Sequence, residues 1–438
     1  MSSTSRFHLP ALVLALSLPL GAQLGAQDGA QDDEIVQQAQ LEAWTTSIKK
    51  DVEELRGQAF KRPVEVSTAN LEQFISYVKD RMEKDTSSEE LAAQEMVAKM
   101  LGVVPVEMSL LGTYMEMIES QVGGFYDPTT ESFCLMERFG GDLARIVLAH
   151  ELTHALDDQY YDIDGTLAKI ENNSDQSFAY HAVVEGSGTA TQNAWIKAHA
   201  KEIDLMALAS SGDIDTAGMD KAPPFLWKPM LGSYMLGAAF LVRSSSILAG
   251  QSKAASAADV HIAFRRPPLS SEQILHPEKF WDAEKRDDPV QVRIDLAGVP
   301  ADWNLLGEDT LGEMGLGFVI EPQRKRRGLE SQLQIFTTKF TYPASDGWGG
   351  DRYVLLGRGS ARVLILRTVW DSEADRVEFS QAIAGEKSAI AGALMALAGD
   401  AGEVRISTRE DAGLRLNLAL GFNLSEADFG ALLTALGQ

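Results

Sequence analysis

His150 and His154 stand four residues apart, with Glu151 directly after the first, in His150-Glu151-Leu152-Thr153-His154. On a helix, which advances about 100° per residue, both imidazoles leave from the same face and can share one metal ion. Zn²⁺ suits such a pair because it accepts nitrogen and oxygen ligands and does not change redox state. Glu151 is then placed to hold its carboxylate over a water in the ion's open position and to take that water's proton, the chemistry of a hydrolase.

A catalytic zinc needs a third protein ligand. Glu185 is the expected one, in Ala182-Val183-Val184-Glu185-Gly186-Ser187-Gly188-Thr189-Ala190. A glutamate buried on so apolar a helix requires a partner, and the small residues around it allow a close helix approach. His181, one turn earlier, is the rival ligand. Asp158, four residues beyond His154, either fixes the tautomer of a ligand imidazole or is a solvated acid at the helix end. Amide hydrolysis also calls for a donor to the developing oxyanion, and His276 and Tyr234 are the candidates.

These side chains need two helices. Leu143, Ile146, Val147, Leu152 and Leu156 give the first an apolar face, from Asp142 to about Tyr160; the second runs from about Ser177 to Ala200. Upstream, helices are expected at Leu71 to Lys84 and Glu89 to Leu101. A hairpin over Gly123 to Met136, turning at Asp127-Pro128-Thr129-Thr130, sets a strand beside the first helix. Tyr234 to Leu248 reads as an apolar helix opened by Tyr234. From about residue 290 the pattern changes. Val290 to Leu296, Arg352 to Leu356, Arg362 to Val369, Val404 to Thr408 and Leu414 to Leu420 read as strands, and Ala374 to Ala384 and Ser425 to Leu436 as helices.

The 438 residues carry 39 basic and 63 acidic side chains, a net charge of −24. So acidic a surface argues against nucleic acid as a partner, because phosphate binding requires clustered Lys and Arg. The one dense basic run, Arg324-Lys325-Arg326-Arg327, reads as a solvated loop. At the N-terminus, Arg6 and His8 precede an apolar run from Leu9 to Leu20 and the small residues Gly21 to Ala26. That is the layout of a secretory signal peptide, with cleavage expected after Ala22 or Ala26. No later stretch is apolar enough to span a bilayer. Cys134 is the single cysteine, so no internal disulfide forms, and Phe133-Cys134-Leu135-Met136 reads as a strand with a buried thiol.

On these residues the chain resembles the zincin metallopeptidases, in particular the gluzincins, and within them a family of exported bacterial proteins. The resemblance is carried by His150-Glu-Leu-Thr-His154-Ala-Leu-Asp-Asp-Gln159, Gly124-Phe-Tyr-Asp-Pro128, Glu185-Gly186, Ser271-Glu-Gln-Ile-Leu-His276-Pro-Glu-Lys279 and Gly347-Trp-Gly-Gly-Asp-Arg352. It implies a zincin fold with His150, His154 and Glu185 as zinc ligands and Glu151 as general base. It also implies an edge strand within Phe125 to Met136 that binds peptide by strand addition. The resemblance departs at Thr189, where gluzincins often carry aspartate, and at Ser187, where the relatives usually carry an acid.

The expectation is therefore an α+β protein. A signal peptide (1–26) and an acidic leader (27–34) precede a zincin-like, mainly helical metallopeptidase domain with a small sheet (35–289). A C-terminal α+β region follows (290–438). The expected function is zinc-dependent hydrolysis of peptide or protein substrates in the periplasm or outside the cell. Two alternatives stand beside it: a non-catalytic protein whose zinc holds two helices together, and an amidase acting on cell-wall peptides. Oligomeric state is not encoded in these patterns.

Overall fold

The computed structural model describes residues 14–16, 36, 38–127, 130–204, 219, 221–322, 337–400, 402–410 and 413–437. The acidic leader, the Arg324 to Arg327 run and all of the signal-peptide segment except Leu14–Leu16 lie outside them. Among the described residues no helix is long and apolar enough to cross a membrane.

The chain is mixed α and β, with helices packed around two small sheets. The first sheet has the order β1-β3-β4-β2, from Leu14–Leu16, Glu65–Ala69 (β2), Val122–Asp127 (β3) and Ser132–Met136 (β4). The expected hairpin is β3–β4, antiparallel with Phe125 opposite Cys134. β2, which the sequence did not announce, lies parallel to β4. Cys134 is on a strand as expected but is half-buried, and its Sγ lies 3.2 Å from Ser67 Oγ.

Four helices, α1 (Gln38–Arg56), α2 (Leu71–Asp85), α3 (Ser88–Met100) and α4 (Leu110–Gln121), precede the hairpin. Asn70 and Ser87 cap α2 and α3 with complete capping boxes, which explains why both starts were legible. Then come α5 (Gly141–Tyr161), α6 (Ile163–Leu167), α7 (Ser174–Ala198) and α8 (Pro224–Leu241). α8 begins ten residues before Tyr234, which therefore lies in its second half. The reason is local: Pro224 occupies the first helical position, where its missing N–H costs nothing.

α5 packs α1, α2 and the first sheet into one apolar core through Leu143, Ile146, Val147, Leu152 and Leu156. α7 belongs mainly to a second core, through Ala179, Tyr180, Ala182, Val183 and Val184. The face between α5 and α7 is thus the seam between two cores. α7 and α8 cross there almost backbone to backbone. A Cβ on Gly237 would fall 1.9 Å from the Ala182 carbonyl oxygen, and one on Gly186 would fall 2.3 Å from the Gly237 carbonyl carbon.

Four short helices follow: α9 (Ile247–Ser252), α10 (Ala257–Arg265), α11 (Ser271–Leu275) and α12 (Glu278–Trp281). The second sheet has the order β5-β6-β7-β9-β8, antiparallel throughout, from Asn304–Asp309, Trp348–Arg358, Ala361–Trp370, Val404–Glu410 and Arg415–Phe422. α13 (Gly312–Ile320), α14 (Glu373–Ala398) and α15 (Glu426–Ala435) pack on it. Alternation splits the strands as a two-sided sheet requires. Val354, Val363, Ile365 and Ala419 face α15, while Leu355, Leu364, Leu366 and Leu418 join the second core. That core runs unbroken from α3 and α7 to the sheet and α14.

Val290 to Leu296 is not a strand. It lies over the α15 face of the sheet, which Ile294 and Leu296 help to cover; Val290 N–H donates to the Gly349 carbonyl and the Arg293 carbonyl accepts from the Arg367 guanidinium. Its alternation reflects packing onto a face rather than pairing at an edge.

The α7–α8 crossing leaves no space for a side chain, so Gly237→Val is expected to cost roughly 3 kcal/mol or more by overpacking. Chemical denaturation of the variant against the wild type checks this.

Candidate metal centre

α5 and α7 meet at the seam with their functional side chains inward. His150 and His154 project from one face of α5 with ring centroids 4.5 Å apart, edge to face. From α7, one oxygen of Glu185 lies 3.1 Å from His150 Nε2 and 3.4 Å from His154 Nε2. All three side chains are buried. Glu151 is fully buried beside them, and one of its carboxylate oxygens comes within 4.8 Å of a nitrogen of each histidine. Two sets of three can thus be drawn, with Glu151 or Glu185 beside the imidazoles. Glu185 is the better ligand because its oxygen already sits against both Nε2 atoms.

The donor set could hold a metal ion. His154 is 0 % exposed; its Nδ1 has no hydrogen-bond partner and its Nε2 meets only the Glu185 oxygen, at 3.4 Å, so the buried ring is poorly satisfied by the protein alone. Burial and the neighbouring His154 lower the pKa of His150, which favours the neutral imidazole that a metal requires, whereas at His154 burial is outweighed by the Glu185 carboxylate, which raises the pKa, so an ion there would have to displace a proton from that ring. Burial alone would raise Glu185, but the two imidazoles hold it down at about 2, so it is a carboxylate.

Three further groups fix this geometry. Gln192 Oε1 lies 3.1 Å from His150 Nδ1, so that nitrogen donates its proton to the amide and Nε2 is left to face Glu185. Gln192 is seven residues past Glu185, two helical turns along the same face of α7, a spacing from which it could have been found. Gly188 forms the floor under the rings: a Cβ there would stand 2.7 Å from His150 Cε1 and Nε2, and 2.9 Å from His154 Cε1. Asp157, Arg56 and Ser187 form a buried group next to the site. Arg56 from α1 pairs with Asp157 at 2.6 Å, and Ser187 donates to the same carboxylate at 2.6 Å. Ser187, where an acid was expected, therefore meets an acid supplied by α5. The sequence offered no signal for Arg56, which lies about a hundred residues from its partner.

The other candidates separate. Tyr234 belongs here: its ring lies over His150, centroids 5.7 Å apart and planes 25° apart. Asp158 does not reach a ligand imidazole; it accepts from the Tyr126 hydroxyl at 3.2 Å and the Ile163 N–H at 3.0 Å, closing the end of α5. His181 donates from Nδ1 to the Ser177 carbonyl and faces the cavity beside Glu185. His276 is held elsewhere, with Nε2 3.1 Å from the buried Glu313 carboxylate, and it does not line the cavity that Glu185 and Tyr234 share. Burial disfavours the charged ring, but Glu313 outweighs it and raises His276 to about 9.

The C-terminal region grips the start of α7. Asp309 accepts from the backbone and hydroxyl of Ser174, and the Arg352 guanidinium donates to the Asn172 carbonyl. Asp351 takes the Leu311 and Gly312 N–H groups and the Trp348 indole. The Gly347 to Arg352 and Ser271 to Lys279 segments both take part in this joint, since Ser271 N–H donates to Asp175 in the first turn of α7.

A family model described as Domain of unknown function (DUF8575) matches residues 304–413, which include β5 to β8. The metal-centre residues lie outside that match. No curated protein and no solved structure matches the chain.

Gly188→Ala is expected to displace the imidazoles and weaken divalent-metal binding by at least tenfold with little loss of helix content, read by competition with a chromogenic chelator. His276 carries a second expectation. Its pKa is raised above the unfolded value of about 6.5, so the stability it adds is complete below that pH and disappears as pH climbs through about 9. The denaturation gap between wild type and His276→Gln should therefore be wider near pH 6 than near pH 10.

Proposed function

We propose that the chain is an exported zinc-dependent peptidase of the gluzincin type with a zincin-like fold. The observation that carries the reading is the convergence of His150, His154 and Glu185 from two helices, with Glu151 buried beside them. The N-terminal signal-like pattern supports export.

His150 and His154 would hold zinc through Nε2 and Glu185 through its carboxylate. The bound ion supplies Lewis acidity toward a water and toward the substrate carbonyl. Glu151 takes the proton of the attacking water as its oxygen bonds to the carbonyl carbon. The carboxyl group forms, the carbon–nitrogen bond breaks, and Glu151 passes the proton to the leaving amine. Tyr234, whose ring lies over His150 and which lines the cavity with Glu185, is the candidate donor to the carbonyl oxygen as negative charge develops on it; His276, engaged with Glu313, is set aside for that part. Gln192 holds the His150 tautomer through the cycle.

The first sheet supports a peptide as substrate. β3 packs on α5, and Leu14–Leu16 lies antiparallel along it with Leu14 opposite Phe125. That pairing is the geometry by which an extended peptide is held at a sheet edge.

Metal analysis together with hydrolysis of casein or a quenched peptide, for wild type and Glu151→Gln, tests the reading. One zinc per chain in both is expected, with activity reduced at least a hundredfold in the variant and abolished in the wild type by chelation. Zinc in both with no hydrolysis by either would instead favour an ion that only joins two helices.

A further inference from the structure

A cavity of about 270 Å³ opens beside Glu185 and Tyr234 and runs away from the metal centre between α7 and α8. Other elements complete its lining: α3 and α4 contribute to it, and so do Leu311, Met314, Gly315 and Phe318 of α13 and its approach, with Tyr353 from β6. The region whose role the sequence left open thus supplies one side of a pocket that starts at a metal ligand.

The lining decides what fits. Phe178, Phe225, Phe318, Tyr114, Met230 and Met314 give it rings and thioethers, and Phe225 and Phe318 meet edge to face, 6.1 Å apart. Ring edges and methionine sulfur both favour contact with another aromatic ring. A purely apolar cavity of roughly 150 Å³ takes benzene, so the present one, larger and apolar over most of its lining, has room for a larger ring system. Two acids, Asp175 and Asp309, also face it, but they are committed to backbone donors: Asp175 to Ser271, Asp309 to Ser174 and Thr310. Burial pushes both carboxyls up, Asp309 to about 7, so they offer little charge to a basic side chain.

We infer that this cavity binds a bulky aromatic side chain, indole-sized, of a peptide whose scissile bond lies at the metal centre, and that α13 sets this preference. The inference rests on the peptidase reading for its substrate class. The C-terminal region then acts as one wall of the specificity pocket.

The test has one arm that does not depend on catalysis. Saturation-transfer NMR would measure indole binding to the full-length protein, to Met230→Trp, which fills the cavity, and to Phe318→Ala, which reshapes its lining. Indole should bind the wild type, and Met230→Trp should abolish the signal while circular dichroism shows the fold retained. In the second arm, quenched peptides differing at the residues flanking the cleaved bond are compared. Tryptophan or phenylalanine at one flanking position should be cleaved roughly ten- to a hundredfold faster than alanine, as burial of an aromatic side chain implies, and Met230→Trp should remove that advantage. Indole binding lost in Met230→Trp, without hydrolysis of any peptide, would uphold the aromatic pocket while overturning the peptidase reading. Indole binding to none of the proteins, or a preference for lysine, arginine or alanine at both flanking positions, would overturn the pocket assignment itself.

Discussion

The constraint on which this structure depends is the distance between helix backbones at the α5–α7–α8 seam. Side chains from two helices reach one ion-sized point only if those helices come close, and close approach requires small residues. Gly188 leaves space for both imidazoles, and Gly186 and Gly237 let α8 lie directly on α7. α7 is therefore held from both sides, and Glu185 has little freedom to move away from the histidines. The same seam divides the two apolar cores, so the polar centre sits where neither core must be interrupted.

Bringing buried acids together costs free energy unless each has a partner, and the chain meets this demand locally. Arg56 and Ser187 satisfy Asp157 next to the metal centre. At the other end of α7, backbone N–H groups satisfy Asp175, Asp309 and Asp351. A buried ion pair of this kind adds modest net stability, but removal of one partner is expensive, so it enforces one arrangement. The result is a helix anchored at its start by the C-terminal region and in its middle by α5 and α8. The C-terminal sheet thus bears on the geometry of the centre without contributing a ligand to it.

Much of this could be read from one sequence because the signals are local. The spacing of His150 and His154, the helix starts at Leu71 and Glu89, and the continuous apolar runs at Tyr353 to Leu356 and Val363 to Leu366 each concern residues a few positions apart. The misreadings share a different cause. Val290 to Leu296 alternates because it covers a sheet face, and Tyr234 lies late in a helix that two prolines begin. β2 and β5 were missed because their short, polar-containing runs gain stability only from the neighbours they pair with.

The sequence by itself determined the candidate set: which side chains could hold an ion, which carboxylate stands next to them, and which elements carry them. Helical spacing and residue type suffice for that. Only the tertiary structure decided the company those residues keep. It set Gln192 on His150, brought Arg56 to Asp157, drew Tyr234 over the imidazole, engaged His276 with Glu313, and placed α13 in the lining of the cavity that Glu185 shares. Each of these pairs is far apart in the chain or depends on which of several faces a helix turns inward. Such contacts are fixed by the packing of whole elements, and no local pattern records them.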